Sequence, residues 1–235
     1  FSFGTATFLA ATIFFWLSLP QVSKHYKTAL IITGLVTFIA GYHYLRIFSS
    51  WGEAYTAVNG VVTATGVPFN VAYRYVDWLL TVPLLLIELI LVMGLSKSET
   101  VSKSVKLGSA AALMIILGYP GEVSGGIDST RFIWGALSMI PFLYIVITLF
   151  SGLSDSISKQ AEDVRGLISA ARWVVILSWC FYPVVYFAPF VMTLSGGAAV
   201  TVIEVGYTLA DVIAKAVFGV MIFMIAVRKS NAEKA

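Results

Sequence analysis

Charge is what this sequence has least of. Of its 235 residues only 11% are charged, while 59% are hydrophobic. Water-soluble domains carry about 25% charged residues. A chain this apolar cannot cover a globular surface with polar groups, so lipid must be part of its solvent. Cysteine is almost absent as well. The single Cys180 excludes an internal disulfide and any cysteine-based metal cluster. The net charge of +3 is too small to argue for a nucleic-acid partner, and none is expected. The loops hold no nucleophile–base pair and no set of metal ligands, so neither an enzyme nor a metal site is expected.

What the chain does have is long apolar runs. A spanning helix needs roughly 20 mostly apolar residues. The runs extend from Phe1 to Ser23, from Lys27 to Leu45, and from about Val67 to Leu95. A short fourth, about Leu107 to Gly121, closes on Gly-Tyr-Pro-Gly. The others run from Phe132 to about Leu153, from Trp173 past Pro189, and from about Val205 to Val227. Seven helices with short loops use up residues 1–235, which predicts one all-α membrane domain. The longest loop, Ser49 to Phe69, carries Asn59-Gly60 between β-formers, which predicts a two-stranded hairpin.

Orientation follows from the cations, which concentrate on cytoplasmic loops. Lys24, Lys27, Lys97, Lys103, Lys106, Lys159, Arg165, Arg172, Arg228, Lys229 and Lys234 fall on one side, and only Arg46 and Arg131 border the other. The N-terminus is therefore expected outside and the C-terminus in the cytoplasm.

Five ionisable groups interrupt the apolar runs: Arg74, Asp77, Glu88, Asp211 and Lys215. A charge at the bilayer centre costs several kcal/mol, so such groups normally face the bundle interior and mark a pathway or a ligand. Asp211 and Lys215 are spaced i, i+4 and share a helix face. Arg74, Asp77 and Thr81 share a face of the third helix. Glu88 lies eleven residues past Asp77, about 16 Å further along the same line. One reading of Lys215 is a salt bridge to Asp211 that fixes helix packing. The other is an imine with a carbonyl cofactor, the chemistry of a buried amine, with Asp77 and Asp211 as counterions and Arg74 balancing the excess negative charge. The first reading leaves Asp77, Glu88 and Arg74 as coincidences.

A long, flat ligand needs a slot between aromatic walls. Trp78 follows Asp77 directly. Trp179, Tyr182 and Tyr186 form a stripe on the sixth helix, and Trp134 and Phe142 come from the fifth. Alone such a stripe is ordinary packing; beside a buried lysine it suggests a pocket. Pro183 is expected to kink the sixth helix.

These residues carry a resemblance. Arg74-Tyr-Val-Asp-Trp-Leu-Leu-Thr-Val-Pro83 resembles the third-helix signature of microbial rhodopsins, and Asp211-Val-Ile-Ala-Lys215 resembles their retinal-binding seventh helix. Trp179-Cys-Phe-Tyr-Pro-Val-Val-Tyr186 is similar to their sixth-helix retinal wall. Asp77, Thr81 and Glu88 match the pattern of proteorhodopsins and xanthorhodopsins, and Leu117-Gly-Tyr-Pro-Gly-Glu122 is similar to the xanthorhodopsin branch, including the Gloeobacter rhodopsin type.

The resemblance implies a light-driven outward proton pump in a prokaryotic plasma membrane, a homo-oligomer with all-trans retinal on Lys215. It implies Asp77 as proton acceptor, Asp211 as second counterion, Glu88 as cytoplasmic donor, and His43 as the histidine paired with the acceptor. Thr81 is expected to hydrogen-bond Asp77. The implied pocket comprises Trp78, Leu85, Met114, Gly118, Trp134, Gly135, Ser138, Phe142, Trp179, Tyr182, Tyr186 and Ala214, and Leu85 implies green absorption. Gly135 stands where xanthorhodopsin opens a window for a carotenoid antenna; a packing glycine is the alternative. The extracellular glutamate pair of bacteriorhodopsin is not evident, and Glu204 falls one position out of register. A photosensor, a pump for another ion and a retinal-free channel are the rival readings. Glu88 favours transport over sensing.

Overall fold

The computed structural model describes residues 1–124, 128–191 and 196–234, with backbone alone at 189 and 196–199. It is helical apart from one hairpin. The helices are α1 (Ser2–Leu17), α2 (Lys27–Ala54), α3 (Ala72–Met93), α4 (Lys97–Val123), α5 (Ser129–Ile147), the short α6 (Ser154–Ser158), α7 (Glu162–Val191), α8 (Gly196–Asp211) and α9 (Phe218–Ala232). A π-helical turn, Val212–Val217, joins α8 to α9 in one rod. Among the described residues six helical stretches are long and apolar enough to cross a bilayer, and α1 is a shorter apolar seventh.

Helix ends differ from the hydropathy reading, which sees only the apolar part of each helix. The fourth helix starts at Lys97, ten residues before the expected Leu107. Ser96 and Glu99 form a reciprocal capping box there, which satisfies two otherwise orphaned amides. The helix also runs through Pro120 to Val123 instead of closing on Gly-Tyr-Pro-Gly. In the same way α7 begins at Glu162, not Trp173, and continues through Pro183 to Val191. Straight-chain polar residues are good helix formers, so these polar first turns extend past the apolar span. Gly94, at φ 66°, stops α3 in the left-handed conformation that glycine adopts without strain.

The hairpin forms as expected. β1 (Tyr55–Val58) pairs antiparallel with β2 (Val61–Ala64), with Tyr55 opposite Ala64 and Val58 opposite Val61. Asn59 and Gly60 both take positive φ, 51° and 77°, as a two-residue type I′ turn requires.

Consecutive helices α1 to α5 pack side by side, and the α8–α9 rod closes the bundle against α1, α2 and α7. The core centres on Leu85, Leu86, Leu89 and Ile90 of α3, with Trp179 of α7 and Phe218 and Ile222 of α9. The opposite faces carry exposed apolar side chains such as Ile140, Leu177 and Val184, the pattern of a bundle solvated by lipid.

Candidate functional site

Burial of the five ionisable residues is complete or nearly so. Asp77 and Glu88 are 0% exposed and Asp211 and Lys215 1%. Lys215 sits in the π turn, between the rod's two halves. Its Nζ donates to Asp77 Oδ2 at 2.6 Å and to Asp211 Oδ1 at 2.9 Å. One ammonium is thus shared by two carboxylates from different helices. Unpaired, any of these charges would be too costly to bury.

The two carboxylates are not equivalent. Asp211 Oδ1 also accepts from Tyr182 at 2.8 Å and Trp78 Nε1 at 3.2 Å, and its Oδ2 accepts from Tyr44 at 2.8 Å. Four donors around one carboxylate suit a permanent anion. Among the described residues Asp77 has only the lysine, and its Oδ1 is buried with no partner. Thr81 does not supply one. Its hydroxyl back-bonds to the Asp77 main-chain carbonyl at 2.8 Å, the usual i−4 contact of a helical threonine. His43 is buried, but no hydrogen bond joins it to Asp77 among the described residues, and its Nδ1 has no partner.

Arg74 departs further from expectation. It makes no direct ion pair with either aspartate among the described residues; its partner is Glu204, in a buried two-point contact with Nη1 to Oε1 at 3.2 Å. The Tyr207 ring lies 4.6 Å from its guanidinium carbon. Glu204, Tyr207, Asp211 and Lys215 follow one another at intervals of three and four. Extending that helix face upstream from Asp211 would have found Tyr207, which the sequence reading missed, and put Glu204 on the same face.

At the far end of the line Glu88 has one hydrogen bond, to Thr33 Oγ1 at 2.6 Å, and no cation pairs with it among the described residues. Thr33 Oγ1 also lies 3.0 Å from the Ala29 carbonyl. A hydroxyl has one hydrogen, so it cannot donate to both. Every hydrogen is used once if Glu88 is a neutral acid donating to Thr33, and Thr33 donates to Ala29.

Lys215 and Asp211 open onto a cavity with mostly apolar and aromatic walls, the usual character of small-molecule sites. Trp78, Leu85, Met114, Gly118, Gly135, Ser138, Phe142, Trp179, Tyr182, Tyr186 and Ala214 line it as expected. Trp134 does not. Gly135 faces the cavity, so its neighbour points about 100° away around the helix. Tyr75, Phe187 and Tyr207 are wall residues that the sequence reading missed. A Cβ added at Gly135 would lie 2.5 Å from Tyr186 Cε1 and 2.7 Å from Phe187 Cζ. That glycine makes room for two α7 rings.

Residues 1–229 match the family model described as bacteriorhodopsin-like protein. The chain belongs to the bacteriorhodopsin-like family. This microbial rhodopsin is 34% identical to the green-light absorbing proteorhodopsin of Gamma-proteobacterium EBAC31A08, over 97% of the chain and 85% of that protein. Its fold matches the structure of xanthorhodopsin, titled a light-driven ion pump with dual chromophore. That likeness has a TM-score of 0.93 and 49% identity, and covers 99% of this chain and 92% of the other. Thermophilic rhodopsin matches with a TM-score of 0.93 and 47% identity, covering 100% and 93%. With its apolar helices, this rhodopsin is a multi-pass membrane protein of the proteorhodopsin and xanthorhodopsin kind.

Proposed function

We propose that this rhodopsin is a light-driven proton pump that carries all-trans retinal as an imine on Lys215 and moves protons outward across a prokaryotic plasma membrane. The observation that carries this reading is the Lys215 amine, held between Asp77 and Asp211 at the end of an aromatic cavity. A primary amine with two counterions fits an imine that must be protonated, and the flat walls of Trp78 and Trp179 fit a polyene. Retinal bound there would supply light absorption and a change of shape that reorients the N–H at Lys215. The other roles belong to the chain. Asp211, fixed by four donors, stays an anion. Asp77 takes up a proton at Oδ1, the oxygen without a partner. Glu88, neutral at rest, gives up its proton toward the Lys215 end and is refilled from the cytoplasm. Transfer of this kind needs donor and acceptor affinities that cross during the cycle. Leu85, in the cavity wall, supports green absorption once retinal is bound.

The direction rests on the lysine and arginine bias of the loops, which puts Glu88 on the cytoplasmic side of Asp77. A carotenoid antenna over Gly135 belongs to the same reading, as does a homo-oligomer. A carotenoid ring at that glycine requires the Phe187 ring to turn away, because Phe187 stands in the space.

Illumination of unbuffered cells containing the protein and retinal tests the function. Acidification abolished by a protonophore is the expected result. A coloured protein that produces no pH change overturns pumping and favours the sensor. A protein that stays colourless with retinal overturns the whole reading.

A further inference from the structure

Tyr186 lines the cavity, and it is held by an arrangement that the roles assigned above leave unused. The Tyr186 hydroxyl donates to the Arg131 main-chain carbonyl at 3.1 Å. In return Arg131 Nε and Nη2 donate to the Tyr186 main-chain carbonyl at 3.3 and 3.2 Å. The guanidinium carbon sits 4.5 Å from the centre of the Tyr186 ring, within cation–π range. Glu122 of α4 pairs with Arg131 Nη2 at 3.0 Å. The start of α5 is itself pinned, since Asp128 accepts from the Arg131 amide at 2.9 Å.

Two glycines complete the seat. A Cβ at Gly121 would overlap the Tyr186 hydroxyl, and one at Gly135 would crowd the ring edge. The ring is therefore enclosed by α4 and α5 and anchored at both its hydroxyl and its main chain. Surface ion pairs contribute little, but this guanidinium is only 13% exposed. Its planar fork grips the Tyr186 carbonyl with two nitrogens while its charge faces Glu122, which a lysine cannot do.

We propose that Arg131 is a positioning residue for the chromophore cavity: together with Glu122 it locks the Tyr186 ring, and the locked ring sets the shape of the polyene's far end and so its colour. The proposal rests on the retinal reading above. A ring free to turn lets the far end of a conjugated chain twist, which changes conjugation, and it loosens the wall that keeps water and nucleophiles out.

The test uses the full-length protein in membranes reconstituted with all-trans retinal. It reads the absorption maximum and the rate of bleaching by hydroxylamine in the dark. Arg131→Gln is expected to form pigment with a shifted maximum and bleaching several-fold faster. Because Arg131 acts through Tyr186, the shift should vanish when the same substitution is made in a Tyr186→Leu background. Arg131→Lys keeps the charge facing Glu122 but cannot fork the carbonyl, and should fall between. If Arg131→Gln does not fold, Arg131→Lys is judged by the same two criteria. An unchanged maximum and bleaching rate overturn the proposal, even if thermal stability falls. A shift that persists in the Tyr186→Leu background overturns it too. Failure of the unsubstituted protein to take up retinal is a separate result, which removes the retinal reading and this proposal with it.

Discussion

The two ends of the polar line on α3 use buried carboxyl groups in opposite ways. At one end Asp77 and Asp211 share Lys215, and Arg74 and Glu204 neutralise each other nearby. At the other, the one hydrogen-bond partner of Glu88 among the described residues is the Thr33 hydroxyl. The first environment holds charge, because cations and donors replace water. The second favours the protonated acid at rest, because a single hydroxyl offsets little of the cost of a buried anion. An outward pump needs both kinds of place in series. A helix that presents one face along its length supplies them about three turns apart.

The contrast can be broken most completely at Lys215. Lys215→Ala leaves two buried carboxylates facing each other without their cation, which costs about 3–5 kcal/mol. It should abolish visible absorption after retinal is added; any remaining visible band would show that the chromophore is attached elsewhere. Next in size is Asp77→Asn. The pigment should still form, since Asp211 keeps its donors, but light-driven acidification should fall more than tenfold. Pumping at the parent rate would show that Asp77 is not the acceptor.

Glu88→Gln sharpens the other end. Resting colour should be unchanged, while flash photolysis should show decay of the deprotonated intermediate slowed by about tenfold or more, the scale of general acid–base effects. Normal decay would rule out Glu88 as the donor. The smallest effect belongs to Thr33→Val, which removes the back-bond to Ala29 and, at Glu88, one hydrogen bond worth about 1 kcal/mol. That corresponds to roughly a fivefold change in the same decay. If Thr33→Val alters the resting colour instead, the two ends are not independent.

Much of this was legible before the structure. The spacing of Arg74, Asp77, Thr81 and Glu88 put them on one face, and all four are buried. The Asp211–Lys215 interval gave an ion pair, and Asn59-Gly60 gave the hairpin. Helix ends were legible only as apolar spans. The capping box that starts α4 lies in polar sequence that hydropathy passes over. The π turn at Lys215 was not legible, since nothing in Val-Ile-Ala-Lys-Ala-Val departs from an ordinary helix. Partners across the bundle were the other gap. Arg74 lies 130 residues from Glu204, and Thr33 lies 55 from Glu88.

Sequence alone determined which side chains must turn inward, because the cost of a charge in lipid and the 3.6-residue period act locally on each helix. It could not decide which inward-facing groups meet. That depends on how each helix is rotated and how deep it sits against its neighbours, set by packing along the whole bundle. A hydrogen bond exists or fails within a few tenths of an ångström. Only the assembled structure could therefore give Arg74 to Glu204, leave Asp77 an unpaired oxygen, and turn Trp134 away from the cavity.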